Sequence, residues 1–299
     1  MKDRYVNVFT DFGFKKIFGE ELNKDLLMDF LNELLKNEQA ITALTYKKNE
    51  HLGTTDLDRK AIFDLYCEND KGEKFIVEIQ KTKQKFFKDR SIYYSTFPIV
   101  EQAEQGDWDY RLKAVYTIAI LDFVFDDEDR DKTVVSHVKL MDTKKKRVFF
   151  DKLTFVYLQM PNFTKTEGEL ETKFDKWLYV IKNLHTLDKL PNRLRNKIFE
   201  RLFKQAELAR FTPEERYAYE DSLKYYRDLK NSFDTARQEG RQEGRQEGRQ
   251  EGRQEGMEEK TLTTVKNAFV AGLSIQKIAK IVDITQDAVR KILKREKLL

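Results

Sequence analysis

KAIFDLYCENDKGEKFIVEIQKTK, residues 60–83, reads as two strands joined by a tight turn. Asn69, Asp70 and Gly72 tolerate the positive φ values that hairpin loops require. A loop centred on Lys71 sets residues whose numbers sum to 142 opposite one another: Asp64 faces Glu78, Ile62 faces Gln80 and Tyr66 faces Ile76. Period-two alternation then sends Phe63, Leu65, Cys67, Phe75, Val77 and Ile79 to the other face, which is wholly apolar and should pack into a core.

This register puts two carboxylates side by side on an otherwise apolar strand pair. Like charges directly opposed in a sheet are unfavourable by roughly 0.2–1 kcal/mol. Burial adds to the penalty, because a buried carboxylate takes up a proton or finds a counter-ion. A divalent cation between Asp64 and Glu78 reverses the sign of the interaction. Mg²⁺ suits such a pair, since it binds one or two carboxylates, keeps several waters and leaves room for phosphate oxygens. The plainer alternative is a solvated edge hairpin whose polar face happens to carry two acids.

An Asp on one strand and Glu-x-Gln on the next resembles the PD-(D/E)xK nuclease pattern. More specifically, the chain resembles the Rpn family of recombination-promoting nucleases, also labelled transposases. Residues 11–18, DFGFKKIF, are similar to that family's D-x-x-F-K-x-x-F signature, and Asp58, Asp64, residues 77–80 (VEIQ), Arg90 with Tyr94, and residues 112–123 follow in order. The resemblance implies an α/β, restriction-endonuclease-like core: a mixed central sheet flanked by helices. It also implies DNA as partner and Asp64, Glu78 and Gln80 as catalytic residues. Asp64 and Glu78, with the Ile79 carbonyl, would be ligands of Mg²⁺ or Mn²⁺. Gln80 stands where relatives in the wider superfamily carry Lys. An amide can position a water but supplies no positive charge, so Lys60, Lys81 and Lys83 become candidates for that charge.

The 299 residues allow one large domain with appendages, or two to three small ones, and the 40% hydrophobic content is enough for a core. The single cysteine, Cys67, excludes an intrachain disulfide and fits a reducing compartment; on the inward face it reads as a core residue, not a nucleophile. The first residues contain no apolar leader segment, and no apolar run approaches membrane-spanning length, so the expectation is a cytoplasmic protein with no membrane partner. Residues 257–299 contain nine Lys or Arg against five acids, an excess equal to the whole chain's net charge of +4. A polyanion partner is therefore most readily placed at the carboxy terminus.

Along the chain, Leu26, Leu27, Phe30, Leu31 and Leu34 recur at helical spacing within residues 23–35, and residues 41–46 read as a short strand. His51 falls in a loop, with no second His or Cys nearby at metal-ligand spacing. Residues 84–105 form a helix that sets Arg90 and Tyr94 one turn apart on one face. Arg90 there is either a bidentate phosphate contact or an ordinary surface ion pair. Residues 112–125 are near-continuously apolar, as in a buried central strand, and residues 134–160 supply further strands around a turn at 141–144. From 169 to 229 the spacing is helical, with Thr212 and Pro213 marking a helix start.

Residues 237–256 are five copies of Arg-Gln-Glu-Gly. Each Gly costs about 1 kcal/mol relative to Ala in a helix, and a period of four stacks like charges at i,i+4. The expectation is a frayed helix or coil unless packing supports it, acting as a spacer or, alternatively, a binding segment. Residues 257–299 resemble a helix-turn-helix: one helix to Ala271, a break at 272–274, a short helix to Ile281, and a last helix begun by residues 283–285. Arg290, Lys291, Lys294 and Arg295 on that last helix suit phosphate contacts, with Gln286 or Arg290 placed for a base edge; protein contact is the other use of such a module.

The expected organisation is a nuclease domain over 1–163, a helical region over 164–235, the repeat spacer over 236–256 and a helical module over 257–299, so that an all-α half follows the core. Dimerisation through the carboxy-terminal helices is an assembly the pattern allows. The expected function is a metal-dependent DNA endonuclease, with Arg90, Tyr94, Arg290, Lys291 and Lys294 on DNA. The alternative is an inactive nuclease fold acting as a DNA-binding or interaction protein. A transposase proper would lack a visible strand-transfer triad.

Overall fold

The computed structural model describes residues 3–36, 38, 40–48, 50–51, 61–103, 106, 109–125 and 132–299. Asp58, Lys60 and the loop after His51 lie outside the described residues. In chain order the strands are β1 (Leu44–Tyr46), β2 (Glu50–His51), β3 (Ala61–Ile62), β4 (Leu65–Asn69), β5 (Lys74–Gln80), β6 (Val115–Leu121), β7 (Val135–Asp142) and β8 (Arg147–Gln159). The helices are α1 (Asp11–Phe18), α2 (Lys24–Leu34), α3 (Phe87–Val100), α4 (Lys173–Asn183), α5 (Lys197–Ala206), α6 (Pro213–Val270), α7 (Ile275–Val282) and α8 (Gln286–Arg295).

The central hairpin forms in the register its turn dictates. Asn69 Oδ1 accepts the N–H groups of Lys71 and Glu73 at 3.0 and 2.9 Å, and Gly72 takes the left-handed φ of +79° that its missing Cβ permits. Leu65 then lies opposite Val77, Tyr66 opposite Ile76, Cys67 opposite Phe75 and Glu68 opposite Lys74. The hairpin sits inside a six-stranded mixed sheet of order β1-β4-β5-β6-β8-β7, in which β5, β6 and β8 are parallel. Its two strands are inner strands, which removes the edge-hairpin reading.

Both faces of the sheet are covered. On one face Leu65, Phe75, Val77, Ile118 and Ile120 pack against α1, α2, α4 and α5 in the main core. Trp177 anchors that layer between Phe18, Phe30 and Phe199, with its indole N–H donated to Asp29 at 2.8 Å. Burying side chains of this size contributes roughly 1.5–3 kcal/mol each. The other face, with Tyr66, Ile76, Ala119 and Leu121, lies under α3. Cys67 is fully buried and its thiol is pushed up to about 12 by burial, as befits a core residue.

One inward residue departs from the expected alternation. The backbone bends at Asp64, between β3 and β4, and Phe63 packs with Tyr66 and Ile76 against Tyr94 and Phe97 instead of joining Leu65 and Cys67. The bend interrupts the ladder, so period-two counting fails for one residue. It also leaves Asp64 outside the paired strand, where its N–H and carboxylate serve other bonds.

Helix α1 is seated by its first residues. Thr10 caps it by accepting the Gly13 N–H at 3.0 Å, and a Cβ on Gly13 would meet the Asn7 carbonyl at 2.2 Å. Only glycine lets the helix approach so closely. The Tyr219 hydroxyl accepts the Asn7 N–H at 3.0 Å, and Val6 N–H is donated to the Ala206 carbonyl, so the amino-terminal segment is clamped by the helical region.

The chain divides into two compact units, Met1–Asn231 and Ser232–Leu299. Helix α6 starts where the sequence signals it, with Thr212 and Glu215 exchanging cap bonds at 3.2 and 3.0 Å. It continues through the whole repeat, contrary to the frayed helix or coil expected. The repeat residues are exposed and nothing lies within 4 Å of a Cβ built on Gly240, Gly244, Gly248, Gly252 or Gly256, so packing is not the reason. The repeat extends helix already nucleated on either side, which avoids the costly first turn. In the second unit α7 and α8 close a small core of Val265, Ile278, Val289 and Leu293, capped by Ser274 and Thr285 as the sequence indicates. No helix among the described residues is long and apolar enough to cross a membrane.

Candidate active site

Asp64 and Glu78 meet at the bend. The Asp64 N–H is donated to Glu78 Oε1 at 3.1 Å, and the Ile79 N–H to Asp64 Oδ2 at 2.7 Å. Each carboxylate thus takes one backbone donor, and its second oxygen has no hydrogen bond from the described residues. Glu78 is 8% exposed on a strand buried on both sides. Burial, followed by the charge of Asp64, raises the Glu78 carboxyl; the Asp64 N–H, Arg90 and Lys15 oppose the rise without cancelling it. Burial also raises Asp64, with Asp11 adding to it, against the Ile79 N–H and the charges of Lys15 and Lys81. Two neighbouring carboxylates are therefore held where neither ionises easily.

Gln80, 9% exposed, has both ends of its amide engaged. Its oxygen accepts from Arg90 Nη2 at 2.5 Å, and its nitrogen donates to the Thr82 carbonyl at 3.0 Å. Arg90 also bonds the Gln84 side chain and lies over the rings of Phe87 and Tyr94, at 5.1 and 5.6 Å from their centroids. Tyr94 packs edge-on against Phe63. The surface ion pair considered for Arg90 is thus not its setting: it spans α3 and the end of β5, one charge away from Glu78.

Three further residues reach this place. Asp11 and Lys15, one turn apart on α1, pair at 3.0 Å, and the charge of Lys15 acts on both Asp64 and Glu78. Their D-x-x-x-K spacing was legible as one helix face, but nothing in the sequence aimed that face at the hairpin. Lys81 is half-buried, its ammonium lowered by burial, and it lies 5.3 Å from the Tyr225 ring centroid. Asp11, Lys15, Lys81, Tyr217 and Tyr225 line a groove of about 800 Å³, and Lys15 also lines a smaller cavity of about 200 Å³ that reaches Asp64. Lys83 is half-buried in the segment before α3. Below the site, the Asp122 N–H is donated to the Gln80 carbonyl at 3.0 Å, while the Asp122 carboxylate accepts from Tyr226 at 2.8 Å.

Arg290, Lys291 and Lys294 lie on α8 in the second unit, where Arg290 pairs with Asp287 at 2.9 Å. Lys291 and Lys294 are exposed. Among the described residues no three His, Cys, Asp or Glu side chains gather as a metal-ligand set, so the donors at the bend are two carboxylates.

No curated protein matches the chain, and no solved structure does. The family described as PD-(D/E)XK nuclease family transposase matches it over residues 8–236. That span holds the Asp64–Glu78 pair, α1 and its Lys15, and the root of α6 that carries Tyr225 and Tyr226. With an acidic strand pair at a mixed sheet's heart and a match over most of its length, the chain belongs to the PD-(D/E)XK nuclease family transposases.

Proposed function

We propose that the protein is a metal-dependent DNA endonuclease hydrolysing phosphodiester bonds at the Asp64–Glu78 pair. The observation that carries this reading is the pair itself: two neighbouring carboxylates, each with an oxygen that takes no hydrogen bond from the described residues, whose repulsion a divalent cation relieves while both stay ionised. The donor set fits Mg²⁺ or Mn²⁺, which accept one or two carboxylates and complete their shells with carbonyls and water. Asp64 and Glu78 would hold the ion, with the Ile79 carbonyl beside them. When bound, such an ion supplies Lewis acidity to a phosphate oxygen and acidifies a neighbouring water.

The chain's own residues do the rest. Gln80 holds Arg90 in place, since its amide is committed to the guanidinium and to Thr82. The fixed positive charge that a lysine would give is therefore assigned to Arg90, with Lys15 and Lys81 on the opposite side. Preorganised cations near a transferring phosphoryl group act where water is excluded and charge matters most. In the second unit, Lys291 and Lys294 on α8 are assigned to phosphates, and Arg290 to a phosphate or base edge once it leaves Asp287.

The alternative, a nuclease fold kept for binding alone, draws on one observation: the residue at the usual lysine position is an amide already in use. Supercoiled plasmid incubated with purified protein and Mg²⁺, Mn²⁺ or EDTA separates the two. Nicking that needs the metal and falls by more than about tenfold in Arg90→Ala supports the first reading. Binding without any nicking in either metal supports the second.

A further inference from the structure

The far end of the sheet carries a feature the catalytic site does not use. β8 begins pairing with β6 only at Leu153, opposite Val115. Residues 147–152 precede that point and pair with β7 alone, through Leu140–Phe150, Met141–Val148 and Asp142–Arg147. Register shifts at Lys139/Leu140 and Leu140/Met141 bulge β8, so β7 spans the same stretch in three steps, Lys139 to Asp142, and at about 3.4 Å per step the two-stranded ribbon reaches about 10 Å past the sheet. A free ribbon of this kind is marginal in water, yet it exposes apolar groups: Phe149 is 77% exposed, Met141 56% and Val148 52%. Its turn is Thr143-Lys144-Lys145-Lys146, followed by Arg147, all exposed. No acid among the described residues pairs with the side chains of Lys144, Lys145, Lys146 or Arg147, and Asp142 is spent on capping the turn, accepting the Lys144 and Lys145 N–H groups at 3.1 and 3.0 Å.

Four adjacent cations against the one carboxylate of Asp142, beside an exposed aromatic, fit a polyanion with flat apolar elements, not a second copy of the same basic tip. We infer that the β7–β8 ribbon is a DNA-contacting arm: residues 144–147 hold the phosphate backbone of a duplex, and Phe149 rests in its groove. Ribbons enter DNA grooves, and apolar side chains on them wedge at base steps. The arm rests on the reading of DNA as substrate and adds to it a distance. Tyr157 lies level with Glu78 across β6, and Arg147 is ten residues earlier on the same strand. The bulges shorten that path: β7 covers it in six steps, Ser136 to Asp142, so at about 3.4 Å per step the tip lies about 20 Å from the carboxylates along the strand. That is about six base pairs of duplex at 3.4 Å each, so the arm grips about half a turn away from the cut.

The test is binding of a labelled 30-base-pair duplex by the full chain in EDTA, across a salt series. Replacing Lys144, Lys145, Lys146 and Arg147 together by Gln should flatten the slope of log affinity against log salt by about 3.6 and weaken binding more than tenfold at 0.1 M salt, given about 0.9 per phosphate contact. Phe149→Ala should lower affinity severalfold and leave the slope unchanged. An unchanged slope in the fourfold variant, with its thermal midpoint intact, overturns the arm. So does a Phe149→Ala variant that binds DNA normally but changes from oligomer to monomer in sedimentation, since the ribbon would then join copies of the chain. Plasmid nicking is scored separately. A chain that loses slope with the ribbon but never nicks keeps the arm and refutes the nuclease, whereas nicking with an unaltered slope does the reverse.

Discussion

The two ends of the central sheet carry charge in opposite ways. At the carboxy end of β5, Asp64 and Glu78 are buried, held by one backbone N–H each, and repel one another. At the free end of the β7–β8 ribbon, four cations stand in water against the single carboxylate of Asp142, which is turned to the Lys144 and Lys145 N–H groups. The same Coulomb law gives different outcomes because the surroundings differ: a few kcal/mol at an effective dielectric near 20, about 1 kcal/mol in bulk water at 4 Å. Buried charge is chemistry held in reserve. Exposed charge is reach, and salt screens it within about 10 Å.

The largest effect expected from breaking this contrast is on cleavage. Asp64→Asn and Glu78→Gln should each reduce metal-dependent nicking by more than about a hundredfold, beyond what outer-shell changes cost at metal sites, while the fold persists. Undiminished nicking in both variants would remove the pair from the mechanism. The next effect is on stability. The Glu78 carboxyl is pushed from its usual range up to about 8 in the folded chain, chiefly by burial. Between its unfolded value and that raised one, the native state binds more protons than the unfolded state, so stability falls as pH rises. Metal-free protein should therefore melt lower at pH 8 than at pH 5, by about 4 °C or more at 2–4 °C per kcal/mol. Glu78→Gln should flatten that slope, and Mg²⁺ added at pH 8 should recover the loss by binding the native state. A pH profile identical in wild type and Glu78→Gln would show that the carboxylate is not strained. The smallest effect belongs to the ribbon: Lys145→Gln should shift stability by less than about 0.5 kcal/mol in urea unfolding, because nothing around it is buried.

Much of the scaffold was legible because local chemistry dictates it. Asn69 and Gly72 set the hairpin register, and with it the meeting of Asp64 and Glu78. Thr212, Ser274 and Thr285 marked helix starts through their side-chain oxygens. What stayed hidden depends on tertiary approach. The bend at Asp64 turned Phe63 to the other face, and no period count reveals a bend. Gln80 read as a free amide, whereas α3 brings Arg90 onto it. Lys15 and Lys81 converge on the carboxylates from separate elements, and the basic run at 144–147 gained meaning only when β8 outran its neighbour. The repeat misled in the other direction: its glycines argue against helix residue by residue, yet elongation from nucleated ends carries it through.

The clamp on the amino terminus has a consequence in the order of synthesis. Val6, Asn7 and Phe12 are tied to Ala206, Tyr219 and Ser222. Until residue 222 has been made these ties are missing, and α1 is held only by earlier partners such as Phe30 of α2 and the Tyr46 hydroxyl on the Phe18 carbonyl. At about 5–20 residues per second, that interval is about 10–40 s after the first helix leaves the ribosome's active centre. A prematurely ended chain can hold the hairpin and its two acids yet lack the completed site. The last ties on α1 thus form only with a nearly finished chain.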